Sequence, residues 1–144
     1  KIMKKLIALM TVILCCVGIY KITQLPPPLR YDLQGMYAED VPEGIQSFSY
    51  LSAGTYDFYY FNDMAKVYLY GTYKKVADDQ WLLKGKHIGE QTVTLTKDLT
   101  FVFQVDGQEI PMKKIGDHAH IVGDYKEKAI ANDEKTTEEV LGKG

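Results

Sequence analysis

The feature that most restricts the fold is a period of two in side-chain character, running from about residue 54 to 114 and broken at short intervals by turn residues. Alternation at that period puts successive side chains on opposite faces of a strand and cannot make a helical stripe. Leu99, Phe101, Phe103 and Val105 share one side of their run, with Thr100 and Gln104 on the other. Val93 and Leu95 oppose Thr92, Thr94 and Thr96; Ile110 and Met112 oppose Lys113. The runs 54–61, 65–73, 81–84, 92–96, 99–105 and 109–114 therefore read as strands, with weaker ones near 33–38, 46–51 and 120–123. Asn62-Asp63, Asp78-Asp79, Lys97-Asp98 and Asp106-Gly107 supply turns. Asp-Gly is the sharpest of these signals, because a type I′ hairpin needs positive φ at both central residues.

Near-neighbour hairpins make such strands an all-β antiparallel meander, with no helix longer than about three turns between residues 33 and 123. Closing the sheet into a small barrel removes the edges that invite aggregation; a two-sheet sandwich is the other arrangement. An eight-stranded barrel is just wide enough for its own side chains or one small ligand. Phe58, Trp81, Phe101 and Phe103 predict a filled interior.

Met3-Lys4-Lys5, an unbroken apolar run over 6–20, Lys21 and Pro26-Pro27-Pro28 open the chain. This reads as a basic n-region and a hydrophobic h-region. As a helix the run would rise about 22 Å, against a hydrocarbon core of about 30 Å. Lys4, Lys5 and Lys21 can extend that reach by snorkelling. The positive-inside bias puts the N-terminus in the cytoplasm and the remainder outside. The expected organisation is a signal peptide or membrane anchor, an apolar helix, over 1–24; a Pro-rich spacer over 25–30; a β domain over 31–125; and a charged tail over 126–144, a short helix or disordered. Three fates fit the leader: a retained anchor, cleavage after Gly18, or lipid modification at Cys15 or Cys16. The expected location is the cell membrane with the domain on its extracytoplasmic side, or secretion if the leader is cleaved. Cys15 and Cys16 are the only cysteines, so the exported part holds no disulfide, which is usual for bacterial surface proteins.

A net charge of −2 without a basic stripe excludes nucleic acid as a partner. Lys74-Lys75 and Lys113-Lys114 read as solvated faces. Nothing points to an enzyme: Asp63, Asp78, Asp79, Asp98 and Asp106 sit where turns favour aspartate, and Ser47, Ser49 and Ser52 lack a Gly-x-Ser-x-Gly context. No catalytic residue, cofactor or metal is expected. His118 and His120 would share a strand face, yet two imidazoles without a third ligand make ordinary strand-end residues. His87 lies apart, in an expected loop over 84–90.

The candidate binding residues are Tyr56, Tyr59, Tyr60, Tyr68 and Tyr70. Tyr56, Phe58 and Tyr60 share one expected strand face, while Asp57, Tyr59 and Phe61 share the other; Val67 and Leu69 alternate with Tyr68 and Tyr70. Rings on both faces mean that some point outward. They either pair across strands, worth about 0.2–1 kcal/mol per pair, or form a patch for a surface protein, a glycan or a cell-wall polymer.

Gly35-Met36-Tyr37, Gly54-Thr55-Tyr56 and Gly71-Thr72-Tyr73 echo one another, and the hairpin TFVFQVDGQEIPMKKI follows. With Leu33-Gln34 opening the first strand, residues 33–125 resemble the small lipocalin-like β-barrel domains of bacterial exported proteins and lipoproteins. That resemblance implies a barrel and, as a second function class, a carrier holding a small apolar ligand. Tyr37 stands where the lipocalin first strand usually carries the Trp of Gly-x-Trp, and no site residue is transferred. The expected role is a membrane-associated binding or interaction module at the bacterial cell surface.

Overall fold

Sequence neighbours pair along most of this chain. The computed structural model describes residues 3–5, 28–121 and 123–142, so all but residues 3–5 of the expected leader and half of the Pro-rich spacer lie outside the described residues. Among these no helix is long and apolar enough to cross a membrane. Eight strands follow in order: β1 (Gly35–Glu39), β2 (Ser49–Ala53), β3 (Asp57–Asn62), β4 (Val67–Ala77), β5 (Gln80–Gly85), β6 (Gly89–Thr94), β7 (Thr100–Val105) and β8 (Gln108–Gly116). Two helices close the chain, α1 (Tyr125–Asn132) and α2 (Thr137–Leu141). The sheet runs β6-β5-β4-β3-β2-β1-β8-β7, antiparallel throughout. The meander is therefore observed, and pairing of β1 with β8 curls it into a nearly closed barrel.

The Asp106-Gly107 turn has φ of 54° and 76°, as the type I′ geometry requires. At Lys97-Asp98 the expected hairpin is only a tight turn. Thr96 N–H donates to Thr100 O at 2.9 Å and the two threonine hydroxyls lie 2.7 Å apart, but β6 and β7 form no ladder. Leu99 enters β7 at φ 62°, a left-handed geometry that breaks strand continuity there. Gln91 of β6 bridges this seam. Its side-chain amide donates to Gln104 O and accepts from Gln104 N–H, each at 2.9 Å, replacing one backbone pair with a side chain.

Inward residues follow the expected alternation. Phe101, Phe103, Val105, Val93, Leu95, Ile110 and Met112 are all buried in one cluster with Tyr37, Phe58 and Trp81. Rings meet across the axis: Tyr37 and Phe101 edge to face at 4.9 Å, Phe58 and Phe103 at 5.8 Å, Tyr60 and Phe103 tilted at 5.2 Å. Full burial of such a side chain is worth about 1.5–3 kcal/mol. Gly71 is needed here, since a Cβ at that position would lie 2.5 Å from the Phe58 ring.

Two expectations are corrected. Lys114 is not a solvated surface lysine: its side chain is fully buried on the inward face of β8. Its ammonium donates to Arg30 O at 2.9 Å and Asp32 O at 3.0 Å, and pairs with Asp117 Oδ1 at 3.2 Å. Gly35 makes the room, because a Cβ there would lie 2.5 Å from Lys114 Cε. Lys114 thus fastens the segment that leads into β1. The strand expected near 120–123 is also absent among the described residues, which leave the sheet after Gly116. Asp117 accepts from Arg30 N–H at 2.8 Å, and that bond, with Lys114, turns the chain away from the ladder.

Thr136 caps α2 by accepting from Glu139 N–H at 3.3 Å, and Gly142 ends it at φ 74°. Val140 and Leu141 reach the interior cluster and close one end of the barrel. The expected tail region is thus where α1 and α2 pack on the barrel.

Candidate functional site

Each tyrosine's strand position decides its environment, and the five candidates separate into three places. Tyr60 points inward and is buried, with its hydroxyl donating to Ser49 Oγ at 3.0 Å. Tyr59 and Tyr68 point outward yet are also buried, beneath α1. Tyr125 of α1 stacks on Phe61 at 4.8 Å and on Tyr68 at 5.4 Å. Lys128 places its ammonium 4.9 Å from the Tyr68 ring, and Asn132 Nδ2 donates to Tyr68 O at 2.9 Å. Of the five, Tyr56 and Tyr70 alone are not buried. The strand expected over 54–61 begins at Asp57, so Tyr56 lies in the preceding loop with 67 % of its surface exposed and shares no face with Tyr60.

Burial changes the covered phenols. Tyr59 is pushed up to about 12 by desolvation, with the Asp57 charge adding to it. Tyr68 is pushed up to about 12 by desolvation and by its hydrogen bond to Asp63. Both stay protonated as donors at neutral pH.

The open surface is a groove along the outer face of β4 and β5. One hollow of about 290 Å³ lies between Tyr56, Lys74, Leu82 and Lys84. A second, of about 400 Å³, lies between Tyr70, Lys84, Lys86 and Asp133. The two share Thr72 and Lys84 and so form one path from Tyr56 to the C-terminal end of α1. Lys84 pairs with Glu90 at 3.3 Å, half-exposed. Lys86 Nζ donates to the backbone oxygen of Asp133. Asp133 Oδ1 is buried and finds no donor among the described residues. Such an acceptor suits a ligand hydroxyl. The lysines and Asp133 were missed at the sequence level; tertiary packing alone brings residue 133 beside residues 70–86.

His118 and His120 lie in the irregular stretch after β8, so the strand alternation that would have put both on one face does not exist. His87 is elsewhere, buried against the helices, with Nδ1 3.0 Å from Thr137 Oγ1 and Nε2 2.6 Å from Asn132 O. No group of three or more metal-ligating side chains occurs among the described residues. No family model, curated protein or solved structure matches this chain.

Proposed function

We propose that this protein is an exported, membrane-held binding module with a lipocalin-like barrel at the bacterial surface, and that its groove takes an extended, hydroxyl-rich glycan or cell-wall polymer carrying acidic groups. The carrying observation is Tyr56, two-thirds exposed at the mouth of a groove that also holds Lys74 and Lys84. An aromatic ring offers its face to the C–H groups of a sugar, and ammonium groups attract acidic substituents. The unpartnered Asp133 oxygen at the far end supports a hydroxyl-bearing ligand. The carrier reading gains no comparable support, since Leu69, Phe101 and Phe103 pack together in the interior cluster.

Two measurements test this. With the full chain in detergent micelles on an array of neutral and acidic glycans, retention on acidic polymers should fall at least about tenfold in Tyr56→Ser and in Lys74→Gln, a loss of about 1.4 kcal/mol. Equal retention by both variants would overturn the groove assignment. The address rests on Lys4-Lys5, the apolar run 6–20 and the proline spacer. Protease added to intact cells or spheroplasts should digest the β domain, and a fully protected domain recovered in the cytosol would refute export.

A further inference from the structure

A third hollow, of about 270 Å³, lies on the outer face beside α1 and away from the groove's lysines. Its floor is sheet: Ser52 of β2, with Asp57 and Tyr59 of β3. Its cover is the irregular stretch carrying His120, together with Lys126 at the start of α1. Leu51 and Ala53 point into the barrel, so Ser52 points outward beneath this hollow. Ser52 is 1 % exposed, and its Oγ has no hydrogen-bond partner among the described residues. Its cross-strand neighbours are Met36 and Tyr59. A buried hydroxyl left unpaired costs about 1–3 kcal/mol, and alanine would pack that spot without the cost. The hydroxyl has a use.

Charge says what that use is. Several charged groups are already paired, as in Lys84–Glu90, Lys66–Asp63 and Lys128–Asp124. Asp57 on the floor of this hollow and Lys126 in its cover belong to no ion pair among the described residues. The Lys126 ammonium lies over the Tyr59 ring, 5.8 Å from its centroid. An anion alone would meet Lys126 and His120 but be repelled by Asp57. A cation alone would face the reverse conflict. A molecule carrying both charges satisfies both groups. We infer that this hollow binds a small zwitterion, an α-amino acid, with its ammonium on Asp57, its carboxylate on Lys126 and His120, and the Ser52 and Tyr59 hydroxyls completing the hydrogen bonds. A volume just below the usual range for small-molecule sites restricts the ligand to that size.

The test uses the full chain in detergent micelles, with glycine, L-alanine, D-alanine and L-serine as probes and acetate and methylammonium as half-molecules. Binding is followed through the NMR signals of His120 and the Tyr59 ring. At least one amino acid should bind below about 10 mM and at least tenfold more tightly than either half-molecule, because both charge contacts act together. Asp57→Asn and Lys126→Gln should each weaken it at least tenfold, with thermal midpoints confirming that both variants fold. Lys126→Arg should retain binding. Amino acids that bind no better than acetate, or that bind Asp57→Asn as well as the parent, would overturn the inference. Acetate and methylammonium matching the amino acids would show two independent ion contacts and equally refute a zwitterion site.

Discussion

Ending the chain after Ile121 is expected to lower stability by on the order of 5 kcal/mol, a large share of what a domain of this size holds. The deletion removes both helices. It uncovers Tyr59, Phe61 and Tyr68 on the outer face and takes Val140 and Leu141 from the end of the barrel. Three aromatic rings released to water account for most of the loss, at about 1.5–3 kcal/mol for each full burial. A continuous apolar patch of that kind also promotes association, so the truncated chain should dimerise or aggregate in sedimentation experiments. The phenols give an independent readout. A tyrosine whose pKa is raised by folding stabilises the fold fully below its unfolded value of about 10, and that stabilisation is lost as pH rises through the folded value. Tyr59 and Tyr68, both at about 12, therefore place the alkaline loss between about pH 10 and 12. Without α1 their tyrosinate absorbance should develop earlier. A truncated chain that keeps its thermal midpoint, stays monomeric and titrates like the parent would refute this account.

Replacing Lys114 by methionine should cost about 3 kcal/mol, the low end of what breaking a buried ion pair costs, because Asp117 retains access to water. Methionine keeps the chain length and removes the ammonium. That takes one donor from each of the Arg30 and Asp32 carbonyls, leaving them the Asp32 N–H and the Tyr37 hydroxyl, and loosens the segment leading into β1. Urea unfolding should show a lower midpoint with little change in slope. The acid limb should change too. The Arg30 backbone N–H, and then Lys114, hold the Asp117 carboxyl below the usual carboxylate range. Its contribution is present above the unfolded carboxylate value and is lost as pH falls through the depressed folded one. In Lys114→Met that loss should be smaller. A variant with the parent's midpoint and acid limb would mean that the buried ammonium does not fasten the segment.

The strands were legible because alternation and turn chemistry agree locally: Asp106-Gly107 sets its own φ angles, and Phe101 and Phe103 declare their face. Even Lys114 was readable in principle, since it continues the inward series Ile110, Met112. A lysine on an apolar face reads as a period error until its three oxygen partners are seen. The tyrosines were legible by face and not by exposure. Alternation put Tyr59 on the face opposite Phe58 and Tyr60, and Tyr68 on the face opposite Leu69, but a weakly amphipathic eight-residue segment gives no local sign that it will lie across them. The groove and the Ser52 hollow both need residues from the C-terminal region brought against β2–β5. No spacing within the chain encodes that approach, because it arises from the packing of Tyr125 on Phe61 and Tyr68.

The pairing of β1 with β8 has a kinetic consequence. Strands β1 to β6 each pair with a neighbour in sequence, and β7 with β8 form a local hairpin, so both pieces close short loops. The bond that makes the barrel is β1 to β8, with Met36 opposite Gly116. It carries the longest loop-closure entropy in the sheet and belongs late in folding. β1 also leaves the ribosome first and must wait for β8, the last strand. During that interval its outer edge is an open template for other chains. At five residues, opened by a glycine, β1 is a short template. The barrel fastens at one of its two shortest strands, which offers a stranger little to pair with while it waits.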